Sequence, residues 1–190
     1  MLRIKVFLLI AICLLIAGCY IQSLNPIYDK GTLTFDSGLI GTWYSPEDDD
    51  EIWIFEEAGE NEYTLTGKTN DDGEMKEAYF QAFLSKLGSY LFLDIFPKES
   101  QTISNIYQAH LIPVHSFLRF HREGDILITE SLDYNLFKVA TEKQKKELRY
   151  ISLEDRTLIT ASTDEIQEFF VKNAENDSIF QSPDTLYRKK

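Results

Sequence analysis

The three histidines of the chain fall within one twelve-residue stretch, "HLIPVHSFLRFH", and imidazole is a common ligand of zinc and copper. The stretch is predicted to form a strand, so His115 and His121 share one face and His110 lies on the other. A bulge at Pro113 would bring His110 onto the face of His115. However, the six residues from His115 to His121 span about 20 Å along a straight strand. We therefore predict separate histidines, no metal site and no cofactor.

Acidic and hydroxyl side chains offer two further kinds of chemistry. The run "PEDDDE" (46–51) could attract calcium, but it lacks the alternating spacing and the glycine of a calcium loop. Asp94 lies among apolar strand residues, and is either buried beside a strand neighbour such as Arg119 or exposed to solvent. Ser116 directly follows His115, so their side chains point apart in a strand. Without a Gly-x-Ser-x-Gly elbow, phosphate loop or dinucleotide fingerprint, we predict no enzyme, and a hydrolase is the weaker alternative.

The segments that would position these residues are short, rich in apolar residues and separated by turns. This pattern predicts a mainly β domain, an antiparallel meander or barrel of about eight strands. The turns "EEAGEN", "TNDDGE" and "REGD" are typical of hairpins. The predicted strands are 41–45, 51–56, 62–66, 77–86, 90–96, 107–121, 125–131 and 157–161.

One or two helices are expected, the longer near the C-terminus. Asp133 could cap a short helix that runs to about Thr141. The run "STDE" (162–165) has the spacing of a capping box, and apolar residues then recur at helical spacing. These apolar residues are Ile166, Phe169, Phe170 and Ala174. We expect this helix to lie across the barrel wall or to plug one end of the barrel.

The N-terminus has the organisation of an export signal. A short basic start precedes an apolar run from Val6 to Gly18, which is short for a membrane-spanning helix. The run ends in "IAGC", which resembles the lipobox of bacterial lipoproteins. That resemblance implies cleavage before Cys19, acylation of its thiol, and attachment to the cell envelope. The residue after the cysteine, Tyr20, is not the aspartate that usually retains such proteins in the inner membrane, which favours the outer membrane, facing the periplasm.

Cleavage there would leave 172 of the 190 residues, enough for one domain with a sizeable core. The leader holds two of the 19 basic residues and no acid, so the mature chain would carry a formal charge of −14. Such a charge disfavours binding to nucleic acid. We predict a signal peptide at 1–18, a tether at 19–36, a single domain at 37–182 and a tail at 183–190.

The stretch "GTW" (41–43) opens the first clear strand. It resembles the Gly-x-Trp motif that begins the first strand of lipocalins and related calycins. The resemblance, which covers roughly residues 37–176, implies that Gly41 permits close approach and that Trp43 closes the base of the barrel. A late arginine stacks on that tryptophan in the family, and Arg149 and Arg156 are the candidates. The chain also resembles a group of uncharacterised bacterial lipoproteins.

Aromatic residues are abundant, with 13 Phe, 10 Tyr and 2 Trp. Tyrosine suits wet cavities, because it combines an apolar body with a polar tip. An eight-stranded barrel can hold either filling side chains or one small ligand. The first hypothesis is a non-catalytic binder of a small hydrophobic ligand, and the second is a filled barrel with a structural or protein-binding role, its partner unknown. The candidate ligand-lining residues are Tyr63, Tyr79, Phe83, Tyr90 and Phe92.

Overall fold

The computed structural model describes residues 20–46, 51–98, 104–135, 137, 148–153, 156–173, 175 and 179–190. Cys19, the predicted signal peptide and most of the acidic run 46–51 lie outside these residues. A 3-10 turn at Ser37–Leu39 precedes β3. The elements are β1 (Tyr20–Ser23), β2 (Leu33–Thr34), β3 (Gly41–Tyr44), β4 (Ile52–Gly59), β5 (Glu62–Asp71), β6 (Glu74–Leu87), β7 (Tyr90–Pro97), α1 (Asn105–Gln108), β8 (Ser116–Glu123), β9 (Ile126–Ser131), β10 (Tyr150–Ser152), β11 (Arg156–Ile159), α2 (Thr163–Asn173) and β12 (Asp184–Arg188).

Eight of these strands close into an antiparallel barrel. They follow the order β6-β5-β4-β3-β12-β9-β8-β7, and the pairing of β7 with β6 completes the ring. β2 lies beside β6 beyond the end of β5, where Leu33 pairs with Ser85. The predicted mainly β barrel of eight antiparallel strands is therefore confirmed, and so is the longer helix near the C-terminus.

The predicted hairpin turns define the two ends of the barrel. Asn61, Asp72, Gly73 and Gly124 adopt positive φ at these turns, a conformation that Asn, Asp and Gly tolerate best. The β4–β5, β6–β7 and β8–β9 turns lie at the end that carries the 3-10 turn, which we call the closed end. The β3–β4, β5–β6 and β7–β8 connections lie at the opposite end, which we call the loop end.

The strand that closes the barrel is not the one expected from the sequence. The segment 157–161 was predicted as the eighth strand, but β11 belongs to a separate small sheet of order β1-β11-β10. The prediction of a tail at 183–190 is also wrong, because β12 pairs with both β9 and β3. Only one apolar residue of β12, Leu186, points inward and is buried. This strand therefore has a weak hydrophobic signature in the sequence.

The predicted tether is part of the folded domain. β1 pairs in parallel with β11 from its first residue, Tyr20, and Ile27 is completely buried. Asp36 is bound by the guanidinium group of Arg122, with N–O distances of 2.7 and 2.9 Å. This segment has few apolar residues in a periodic pattern, so its packing was not apparent. The tether prediction for residues 20–36 is therefore wrong.

The long strand predicted at 107–121 is shorter in the structure. Residues Asn105–Gln108 form α1, a connection follows, and β8 begins only at Ser116. Pro113 lies within the connection, and because it has no N–H to donate, it would interrupt the hydrogen-bond ladder of one continuous strand.

α2 covers one wall of the barrel from outside. Its capping box forms as predicted, because the carboxylate of Glu165 accepts the backbone N–H of Ser162 at 2.8 Å. The pKa of Glu165 is lowered to about 2, mainly by the hydrogen bond from Arg149 and secondly by those from Ser162. The stripe Ile166, Phe169 and Phe170 is buried in an outer core with residues of β7 and β8. In the short helix predicted after Asp133, Phe137 donates its N–H to the Asp133 carbonyl at 2.8 Å.

Candidate functional site

The barrel interior is the place where a ligand was expected, and large side chains occupy it. Each of these side chains is buried, and together they form one hydrophobic cluster. The ring of Tyr63 meets that of Phe55 edge-on, with the centroids 6.2 Å apart. The interior of an eight-stranded barrel holds either filling side chains or one small ligand, and here the side chains, each at most 3% exposed, fill it. The cluster comprises Leu39, Trp43, Phe55, Tyr63, Leu65, Ala82, Leu84, Leu93, Phe120, Leu127 and Leu186.

Among the five predicted ligand-lining residues, Tyr63 belongs to this interior. Its hydroxyl group accepts the N–H of Asp36 at 2.7 Å and donates to the Asp36 carbonyl at 3.2 Å. Burial raises the pKa of Tyr63 to about 12. Tyr63 therefore joins the barrel to the 3-10 turn at the closed end and has no free polar tip to offer a ligand.

The other four predicted residues lie outside the barrel cluster, so the five do not line one cup. Tyr79 is exposed, and Phe83 stacks on Tyr28 with a centroid distance of 4.4 Å. Phe92 and Tyr90 pack against the outer core that includes α2. The inward residues of β7 are instead Leu91, Leu93 and Ile95. Both faces of this strand are apolar, because the outer layer covers its outer face. The sequence therefore does not reveal which face of the strand points into the barrel.

The closed end is held by a tryptophan and an arginine. Trp43 is completely buried, and its indole N–H donates to the Leu39 carbonyl at 2.8 Å. The guanidinium group of Arg188 lies 4.3 Å from the centre of the Trp43 ring and donates to the Ile40 carbonyl at 2.7 Å. Gly41 has φ of +135°, and a Cβ there would collide with Arg188. Arg188, and not Arg149 or Arg156, the two candidates from the sequence, holds this position, because β12 pairs with β3 at the closed end.

A buried carboxylate and a histidine join the barrel wall to the outer layer. Asp94 is fully buried on the outer face of β7, and its Oδ1 lies 2.7 Å from Nδ1 of His115. Its Oδ2 accepts the backbone N–H of Ile27 at 2.9 Å. The His115 ring packs against Phe96 at 4.4 Å. Asp94 thus connects β7 to the segment before β2 and to the start of β8.

This environment perturbs the acid–base properties of two groups. Burial raises the pKa of Asp94, and the hydrogen bond from His115 only partly offsets that effect. Burial, reinforced by the charge of Asp94, raises the pKa of Tyr28 to about 12. The sequence suggested Arg119 as a partner of Asp94, but Arg119 forms a forked ion pair with Glu130, at 2.6 and 2.7 Å.

The remaining chemical candidates stay separate. His110 bonds to the Ile106 carbonyl at 2.7 Å, and His121 is exposed on β8. Within the described residues, no group of three or more His, Cys, Asp or Glu side chains could hold a metal ion. In the same residues, no hydroxyl group is hydrogen-bonded to the His115 ring. Within the described part of the chain, the structure therefore brings together an acid and a histidine, with no hydroxyl or thiol hydrogen-bonded to either.

A surface groove of about 620 Å³ lies outside the barrel, between α2 and the β6–β7 turn. Its lining includes Lys86 and Lys172 as well as Asp164 and Glu168, so charges of both signs face it. This mixture does not indicate one class of ligand.

Among the described residues, the most exposed apolar side chains are found at the loop end. The apolar loop, which we define as residues 104–114, contains no Asp, Glu, Lys or Arg. Ile106 and Ile112 are 78% and 73% exposed, and Tyr107 and Leu111 are also exposed. Backbone hydrogen bonds from His110 to Tyr107 and from Leu111 to Gln108 keep these side chains on one compact turn. Exposed apolar side chains that cluster in this way mark an interaction surface more often than isolated ones do.

Comparison with protein-family models, with curated proteins and with solved structures finds no match to this chain. Among the described residues, no helix is both long and apolar enough to cross a membrane. By its fold, the protein is an eight-stranded antiparallel β-barrel whose interior is packed with its own side chains.

Proposed function

We propose that the protein is a lipid-anchored bacterial envelope protein whose calycin-like barrel is a solid scaffold that binds a protein partner at its loop end. The observation that carries this proposal is the packed interior. The eleven-residue cluster uses the volume that a small hydrophobic ligand would need. Between the two hypotheses drawn from the sequence, a filled interior favours the scaffold over the ligand carrier.

The anchor rests on the "IAGC" motif and its basic, apolar leader. Acylation of Cys19 would attach the protein to a membrane, because each buried methylene contributes about 0.8 kcal/mol. The outer membrane, facing the periplasm, is the location that the residue after the cysteine favours.

The calycin-like description rests on the closed end. Gly41 and Trp43 open the first barrel strand, and Arg188 stacks on the indole. A glycine, a barrel-closing tryptophan and a stacked late arginine are the features that the Gly-x-Trp resemblance implies. They describe how the barrel is closed and do not identify a ligand.

The partner surface is the apolar loop. Its most exposed side chains, Ile106 and Ile112, bury little of their apolar area against the described part of the domain. The mature chain would carry a charge of −14, so the partner we expect has an apolar contact area with a basic rim. A non-catalytic role fits the buried Asp94–His115 pair, which has structural contacts on both carboxylate oxygens.

Two measurements test this function. Titration of the purified protein with an environment-sensitive hydrophobic dye should show no saturable binding within the barrel. Leu84→Trp adds volume inside the barrel and serves as the comparison. Saturable dye binding to the wild type that is lost in a folded Leu84→Trp variant would instead support the ligand carrier.

The partner is tested by cross-linking in intact cells with a photoreactive residue placed at position 108. We expect one discrete adduct, which the double variant Ile106→Ser and Ile112→Ser should reduce about tenfold. Val171→Ser, a change at a similarly exposed apolar residue of α2, is the matched control and should leave the adduct unchanged. Equal adduct yields in all three proteins would contradict the proposed surface.

A further inference from the structure

The small outer sheet begins at the residue that follows the predicted acylation site. Tyr20 is the first residue of β1 and pairs with Arg156 of β11. Consecutive Cα atoms are about 3.8 Å apart, so an acylated Cys19 would join the sheet directly. No flexible spacer then separates the lipid from the folded domain. The bilayer surface must lie close to this end of the sheet.

The sheet has one face against the domain and one face outside. Thr157 and Ile159 point inward and are buried. On the outer face, Ile151 pairs with Leu158 across the strands, and Leu153 follows two residues after Ile151. Ile151 and Leu153 are 52% and 46% exposed. The face away from the domain therefore exposes two apolar side chains, Ile151 and Leu153, with Leu158 partly buried beside them.

The position of Leu153 relative to the anchor is fixed by hydrogen bonds. The N–H of Leu153 donates to the Arg156 carbonyl at 2.8 Å, and Arg156 pairs with Tyr20. Neighbouring strands are about 4.8 Å apart, so Leu153 lies about 10 Å from Tyr20. A bilayer that receives acyl chains beside Tyr20 is within reach of this side chain.

The described outward residues of this face include Gln22 and Arg156, and Glu154 and Asp155 lie in the chain between Leu153 and Arg156. The mature chain as a whole would carry a charge of −14, which opposes contact with anionic lipid heads. The bilayer surface that we expect at this face is therefore one of uncharged lipid heads.

We propose that the outer face of the β1-β11-β10 sheet, with Ile151, Leu153 and Leu158, lies against the lipid bilayer and fixes the orientation of the barrel. This inference rests on the proposed acylation of Cys19. The end of β1 forms an antiparallel bridge with the residue before β8, and β8 starts at the loop end, so β1 runs toward the loop end. Tyr20, the first residue of β1, is therefore farther from the apolar loop than Ser23, its last residue. The apolar loop would then remain available to a protein partner.

The test places a single fluorescent label at Leu153→Cys or Met75→Cys in the full, membrane-extracted protein. These two residues are equally exposed, at 46%, but Met75 lies in the β5–β6 hairpin at the loop end. The mature protein would have no other free thiol, because Cys13 is removed with the leader and Cys19 is acylated. Each labelled protein is reconstituted into phosphatidylcholine vesicles with and without brominated lipid.

We expect the label at position 153 to shift its emission to the blue and to be quenched by brominated lipid, and the label at position 75 to show neither effect. Intact mass is measured on the same samples. An acylated protein whose label at 153 stays unquenched would overturn the docking and leave the anchor intact. A protein that retains residues 1–18 would overturn the proposed anchoring itself, and the docking with it.

Discussion

Asp94 forms a buried polar contact between the barrel and its outer layer. Its two oxygens bind Ile27 and His115, and no water-exposed surface remains on it. Burial favours the neutral carboxyl group and raises its pKa. The contribution of Asp94 to the free energy of unfolding is therefore largest below the pKa of the unfolded chain, about 3.9, and declines as pH rises through the raised pKa.

Asp94→Asn should remove this decline, since an amide does not ionise but can still accept the Ile27 N–H. We expect the free energy of unfolding of the variant, relative to the wild type, to increase as pH rises above about 4. Asp94→Ala should be less stable than Asp94→Asn by about 1–3 kcal/mol at every pH, because it leaves a buried N–H group without an acceptor. Urea denaturation across a pH series measures both effects.

Asp36→Asn is the control with the opposite sign. The hydrogen bonds from Arg122 hold the pKa of Asp36 below its usual range. Its contribution to stability is therefore present above about pH 3.9 and is lost as pH falls through the lowered pKa. The variant should be less stable than the wild type near neutral pH, and the difference should shrink in acid. If Asp94→Asn followed this same trend, our account of the buried carboxyl group would be wrong.

Arg188 carries the second residue-scale prediction. It stacks on Trp43 and donates to two carbonyl groups before the first barrel strand, those of Ile40 and Gly38. Arg188→Ala should lower the free energy of unfolding by about 2–3 kcal/mol, from the lost cation–π contact and hydrogen bonds. Arg188→Lys should recover only part of this loss, because an ammonium group cannot stack and fork in the same way. Thermal unfolding of both variants gives the comparison, and a full recovery by lysine would contradict the stacking role.

At the scale of elements, β12 is the strand that completes the barrel. Leu186→Ala should cost about 2–5 kcal/mol, because Leu186 is buried in the interior cluster opposite Leu127. Tyr187→Ala, at the outward-facing neighbour, should cost about 1 kcal/mol or less. Equal and negligible effects in chemical denaturation would mean that the C-terminus is a tail after all.

The elements differ in how far the sequence could predict them. The hairpin strands and α2 follow from turn residues, alternation and a capping box, which are local signals. β1 and β12 are short and have little periodicity, and their partners are more than 50 residues away in the chain. Their formation depends on long-range pairing, which one sequence does not reveal. The break before β8 could have been suspected from Pro113.

At the scale of the whole molecule, the outer layer explains why the five predicted ligand-lining residues do not share one face of the barrel wall. Tyr63 lies in the barrel interior, whereas Phe92 and Tyr90 pack under α2. When a barrel wall is covered from outside, both faces of its strands are apolar, and alternation no longer identifies the interior. The same layer carries Tyr20, so the proposed anchor is rigidly joined to the barrel.

The most direct test of the account is the mass of the protein extracted from its membrane, measured first under native and then under denaturing conditions. We predict a chain that begins at Cys19, carries acyl groups that persist after denaturation, and holds no additional small molecule under native conditions. A chain that retains its first 18 residues, or a bound molecule that is released only when the barrel unfolds, would contradict the account.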